Sequence, residues 1–153
     1  MIDTPQIVQT TVQLTAVIRL TIPRADMQKE MGPAIAELQG VVAAQGIGPA
    51  GPWLSHHLKM SPDVFDFEVA VPVLVPVMPT GRVTASRLPA ARAARTTYQG
   101  DYSGLGPAWG ELRAWVDANG HVAGTDLWEV YRVGPDTSAD PANWRTDLYQ
   151  PLR

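Results

Sequence analysis

Twice along its 153 residues the chain runs through the same order of hydrophobic periodicities: alternating, helical, alternating, alternating. In the first pass, Thr11 to Thr21 alternates. Val12, Leu14, Ala16, Ile18 and Leu20 fall on one side, with Thr11, Gln13, Thr15 and Arg19 on the other, the pattern of a half-buried strand. Pro23 ends it. Met27, Met31, Ile35, Leu38 and Val42 then recur at helical spacing behind Asp26, a residue type that caps helices. Pro33 either kinks this helix or starts it, and Gly46 and Gly48 stop it. Trp53 to Lys59 and Phe65 to Val71 read as two further strands, the second with Phe65, Phe67, Val69 and Val71 on one face.

The second pass opens with a strand over Ala91 to Gln99, rich in alanine, and a turn over Gly100 to Gly104. Ser103 is placed to cap a helix with Leu105, Trp109, Leu112 and Val116 on one stripe. Pro107 falls in its first turn, where backbone N–H groups have no intrahelical partner, and Asn119-Gly120 stops it. Asp126 to Val133 and Thr146 to Leu152 follow as strands, joined by a polar loop over Gly134 to Asn143. The proline-rich stretch Pro72 to Gly81 connects the two halves and leads into a weaker strand at Val83 to Leu88. The expectation is one α+β domain over residues 1–153, built from two β-α-β-β halves at about 8–72 and 82–153. Antiparallel strands then surround a central ligand groove, and helices pack on the sheet. A groove between similar halves is a natural small-molecule site, although element order alone also fits a plain α+β sandwich without one.

Composition narrows the function classes. The formal net charge is -3, and the 12 basic residues are scattered. A nucleic-acid surface needs a basic face, so direct nucleic-acid binding is not expected. No cysteine is present, which excludes disulfides, thiolate chemistry and cysteine-based zinc sites. Met1 to Gln13 does not read as a signal peptide. The most apolar run, Val69 to Pro79, holds three prolines and is far short of the roughly 20 residues a membrane helix needs. A soluble, cytoplasmic protein without membrane contact is the expectation, as a monomer or weak dimer. Only Lys29 and Lys59 are lysines, and Ala, Gly and Pro are frequent, as in GC-rich bacterial proteins.

Four segments of the second half carry a family resemblance. They are the turn Gly100-Asp101-Tyr102, the helix Leu105-Gly106-Pro107-Ala108-Trp109-Gly110-Glu111-Leu112, the strand Leu127-Trp128-Glu129-Val130-Tyr131, and the ending from Asp140-Pro141 to Gln150-Pro151-Leu152. Gly51-Pro52 and Val69-Ala70-Val71-Pro72 match more loosely in the first half. In order and spacing these resemble the GyrI-like family of bacterial effector-binding domains. The resemblance implies a duplicated βαββ (SHS2-type) fold and a pocket for bulky, often cationic aromatic compounds against a buried glutamate. It implies a small-molecule partner and no cofactor. Members occur inside multidrug-sensing regulators and as stand-alone proteins. Because the first strand begins near Thr11, with no helix-turn-helix ahead of it, this chain resembles the stand-alone kind.

The residue singled out is Glu129, mid-strand in an apolar segment with Leu127, Tyr131 and Val133 on its face. A charge buried there is costly unless paired. Spacing alone leaves open an ordinary carboxylate on a solvated face, and the family's Glu-x-Tyr pattern favours the buried one. Tyr131 is placed to stack on a flat ligand and donate its hydroxyl. By resemblance, Tyr149 and Asp147 on the last strand also face the site, with Asp147 standing where the family more often has Glu. Trp109 is expected in the helix core or the pocket wall, and Tyr98 in the core or at the groove. Trp53 and His57 share one strand face and are the ligand-contact candidates of the first half, with packing or exposure as the alternative; the family often has Tyr where His57 stands. His56 and His57 point to opposite faces, His121 follows a turn glycine, and no metal-ligand spacing appears.

Two functions use the same pocket. A binding module would attract a delocalised cation to Glu129 by charge and by aromatic contact. A hydrolase would use Glu129 as general base on a water that opens a strained cyclopropane-type ring, with a tyrosine (Tyr131 or Tyr149) orienting the substrate or protonating the leaving oxygen. Some family members hydrolyse such DNA-alkylating compounds. A protein partner such as DNA gyrase is a third reading, without a specific residue pattern behind it.

Overall fold

The computed structural model describes residues 2–60 and 63–153. In chain order the elements are β1 (Gln6–Gln9), β2 (Gln13–Pro23), α1 (Met27–Gln45), β3 (Leu54–Met60), β4 (Val64–Pro72), β5 (Thr84–Leu88), β6 (Arg92–Gln99), α2 (Leu105–Ala118), β7 (Leu127–Val133) and β8 (Arg145–Pro151). The class is α+β, with two helices and eight strands among the described residues. No helix there is long and apolar enough to cross a membrane. The chain forms two compact units, residues 11–90 and residues 1–10 with 91–153.

In residues 11–90 the strand order is β3-β4-β2-β5, all antiparallel. The register sets Ala16, Ile18 and Leu20 opposite Val71, Val69 and Phe67. That shared face packs on Ala34, Leu38 and Val42 of α1. The helix begins six residues before Pro33, so the proline lies inside it and removes one backbone donor. It ends as expected at Gly46, whose φ of 66° lets its N–H reach back to the last turn. Asp26 precedes α1 but makes no capping bond, because a short 3-10 turn, Arg24–Asp26, occupies that place.

In residues 1–10 with 91–153 the order is β1-β6-β8-β7, again antiparallel. Ala108, Leu112 and Val116 of α2 close over Ala94, Tyr98 and Leu148. Three local expectations are corrected. β1 was not anticipated. It is a short strand paired with β6, so the first ten residues belong with the second half. The cap before α2 is Asp101 rather than Ser103: its Oδ1 accepts from the Ser103 N–H at 3.1 Å and from the Ser103 hydroxyl. A bulge between Tyr131 and Val133 breaks the alternation of β7, so Val133 no longer follows Glu129 and Tyr131 in register.

Candidate ligand-binding site

Glu129 lies at the centre of β7, opposite Leu148, on the face that α2 covers. It is 6% exposed. Both carboxylate oxygens accept hydrogen bonds. The Trp109 indole N–H donates to Oε2 at 2.9 Å, and the Tyr131 hydroxyl donates to Oε1 at 2.9 Å. The sequence explains the arrangement. Trp109 sits three residues before Leu112 on the buried stripe of α2, while Tyr131 follows Glu129 by two on the same strand face. These two bonds fix the orientation of the carboxylate.

Two further aromatics adjoin this group. The Tyr102 ring meets Tyr131 edge-on, with centroids 5.7 Å apart, and Trp144 lies 5.0 Å from Tyr102. Their loops are tied together: the Gly100 N–H donates to the Trp144 carbonyl at 3.0 Å, and the Trp144 indole N–H donates to the Ser138 carbonyl at 2.9 Å. Burial, and the nearby Asp136 and Glu129 carboxylates, push the Tyr102 hydroxyl above the ordinary tyrosine range, so it stays protonated. Neither Tyr102 nor Trp144 was singled out from sequence. Both lie in turns, where no periodicity assigns a face, although both stand within the motifs that carry the family resemblance.

Tyr98 is a core residue, 7% exposed under α2. Tyr149 pairs with Trp128, and Asp147 with Val130, so both lie on the opposite face of the sheet from Glu129. This corrects the expectation that they share its site. There Tyr149 stacks on Trp128 with centroids 5.5 Å apart, and the Arg95 guanidinium lies over its ring. Asp147 is 3% exposed. It accepts from Thr97 at 2.7 Å and pairs with Arg132 at 2.9 Å and Arg95 at 3.2 Å, tying β6, β7 and β8 together.

His57 and Trp53 belong to the other unit. His57 stands opposite Phe67 on the helix-covered face. It stacks on Phe67 at 5.0 Å, meets Phe65 edge-on at 5.3 Å, and lies 3.2 Å from the Ser55 hydroxyl. Burial, with lesser effects of His56 and Arg24, lowers its pKa to about 4. Trp53 packs on the same core. Among the described residues no group of three His, Cys, Asp or Glu side chains is placed to hold a metal ion.

Comparison with solved structures gives the same fold at low identity. EcmrR in its DNA complex superposes with a TM-score of 0.86 at 21% identity, covering 98% of this chain, which spans 57% of that one. The EcmrR C-terminal domain alone gives 0.85 at 21% identity, covering 98% of this chain and 97% of that one. SAV2435 bound to tetraphenylphosphonium gives 0.67 at 13% identity, covering 99% and 94%. A hydrolase from Listeria innocua gives 0.70 at 14% identity, covering 97% and 91%. No curated protein matches the chain. The sequence itself matches the GyrI-like small molecule binding domain over residues 3–153. With that match over essentially the whole chain, and with the fold in agreement, the protein belongs to the GyrI-like small molecule binding domain family.

Proposed function

We propose that this domain binds bulky lipophilic cations of aromatic character, with Glu129 as their counter-charge. The observation behind this is a buried carboxylate whose two oxygens are held by Trp109 and Tyr131, with Tyr102 and Trp144 adjoining. Charge–charge attraction is strong where water is excluded, and ring faces add cation–π attraction. The likeness to SAV2435, solved with tetraphenylphosphonium, supports the same ligand class here. We read the two strand–helix–strand–strand units as repeats of one SHS2-type module.

The test is titration of tetraphenylphosphonium into wild type and Glu129→Gln. Removing the charge should weaken binding roughly 10- to 100-fold, or about 1–3 kcal/mol. Equal affinity in the two proteins would rule Glu129 out as the counter-charge. A second reading is a hydrolase, favoured by the Tyr131 hydroxyl on Glu129 and by the Listeria innocua hydrolase of the same fold. In it Glu129 takes a proton from water, the water oxygen bonds to a ring carbon as a cyclopropane C–C bond breaks, and the released electron pair passes to a conjugated carbonyl oxygen of the substrate, which Tyr131 protonates. Mass spectrometry of a cyclopropane-bearing alkylating compound checks it. A hydrated product made by wild type and absent with Glu129→Gln supports catalysis, and intact compound in both leaves binding alone.

A further inference from the structure

We propose that Tyr102 and Thr146 form a hydrogen-bonding subsite at the Tyr131 end of the Glu129 group, selecting aromatic cations that also carry a neutral acceptor such as a ketone oxygen. The proposal rests on the cation-binding reading and names a finer ligand class for that site.

Two hydroxyls beside Tyr131 are buried with no hydrogen-bond partner among the described residues: Tyr102 Oη and Thr146 Oγ1. Thr146 is 0% exposed and stands directly across the strands from Tyr131. Tyr102 reaches Tyr131 through its ring. Buried polar atoms are nearly always satisfied in native proteins, so two orphans around one side chain mark a place where a polar group is received. The chemistry of that group follows from its surroundings. Tyr102 is protonated and therefore offers a donor. The carboxylates of Glu129 and Asp136 act on it, so an anionic acceptor is repelled and a neutral one is not. Gly134 fixes the position of the hydroxyl. A Cβ at that residue would lie 2.8 Å from Tyr102 Oη, so the tyrosine tip rests where a side chain is missing.

The experiment titrates two probes, tetraphenylphosphonium and its 4-acetylphenyl derivative, which adds one ketone oxygen. Wild type, Tyr102→Phe, Thr146→Val and Glu129→Gln are compared, with thermal melting as a check on folding. The expected result is that wild type binds the acetyl probe about tenfold more tightly than tetraphenylphosphonium, and that Tyr102→Phe brings this ratio close to one, whatever it does to the affinity for the parent cation. Thr146→Val should show the same selective loss. Melting temperatures should not fall, because neither variant removes a satisfied bond. Equal effects on both probes, no effect on either, or rejection of the acetyl probe by wild type would overturn the subsite. If both probes bind wild type and both are lost in Glu129→Gln, any such failure belongs to the subsite alone. If neither probe binds wild type, the cation-binding reading falls as well.

Discussion

At the scale of single residues, His57 makes the sharpest claim about stability. Its imidazole is enclosed by Phe65 and Phe67 and has a pKa of about 4 in the folded chain. In the unfolded chain a histidine titrates near 6.5. Between these values the unfolded state binds more protons, so stability falls as pH falls. The contribution is complete above about pH 6.5 and gone near pH 4, and a shift of this size is worth on the order of 3 kcal/mol. Urea unfolding of wild type and His57→Phe at pH 7.5 and pH 4.5 measures it. The variant should lose less stability on acidification than wild type, by about that amount. Parallel losses in the two proteins would show that His57 is not held neutral. The burial of Glu129 was legible through the family's Glu-x-Tyr pattern, because apolar neighbours alone left a solvated face open. The place of Tyr149 was not. Alternation shows that Asp147 and Tyr149 share a face, but only the register Trp128–Tyr149 shows that it is the face turned away from Glu129.

At the scale of elements, the order of strands and helices was written in the periodicities, while details of their ends depend on packing. β1 is four residues long and has no alternation to announce it. The start of α2 illustrates a constraint that no pattern in the sequence reveals. A Cβ on Gly104 would lie 1.9 Å from Tyr98 Oη and 2.6 Å from its Cζ, and Tyr98 is buried under the helix. Gly104→Ala must therefore displace Tyr98, at a cost of roughly 1–3 kcal/mol for overpacking. Gly110, inside the same helix, has nothing within 4 Å of its would-be Cβ. Gly110→Ala should stabilise by roughly 0.8–1 kcal/mol through helix propensity alone. Thermal melts of the two variants should move in opposite directions, by about 2–4 °C per kcal/mol for a chain of this size. A rise for both would mean that Tyr98 yields freely and does not brace the turn.

At the scale of the whole molecule, two similar sequence patterns have produced two unlike cores. The core under α1 draws on Ile18, Leu38, Val42, Phe67, Val69 and Val71, all fully buried or nearly so. The core under α2 is smaller, built on Ala94, Tyr98, Ala108, Leu112, Val116 and Leu148, and shares its strands with buried Glu129, Thr146 and Gln150. Periodicity shows which positions turn inward but not how much apolar surface each buries, so this difference was not visible in the pattern. Apolar burial is the main stabilising term, and buried polar atoms without partners subtract from it. Residues 91–153 should therefore open locally more often than residues 11–90. A ligand held at Glu129 reverses the order, because binding to the closed form alone stabilises it by about 2.7 kcal/mol at a hundred times Kd. Amide hydrogen exchange read by mass spectrometry, with and without tetraphenylphosphonium, follows both effects. Without the cation, peptides from α2 and β7 should exchange faster than those from α1 and β4. With it, α2 and β7 should slow by up to about a hundredfold, and Glu129→Gln should show little of that protection. Protection centred on α1 and β4 instead would move the binding site away from Glu129.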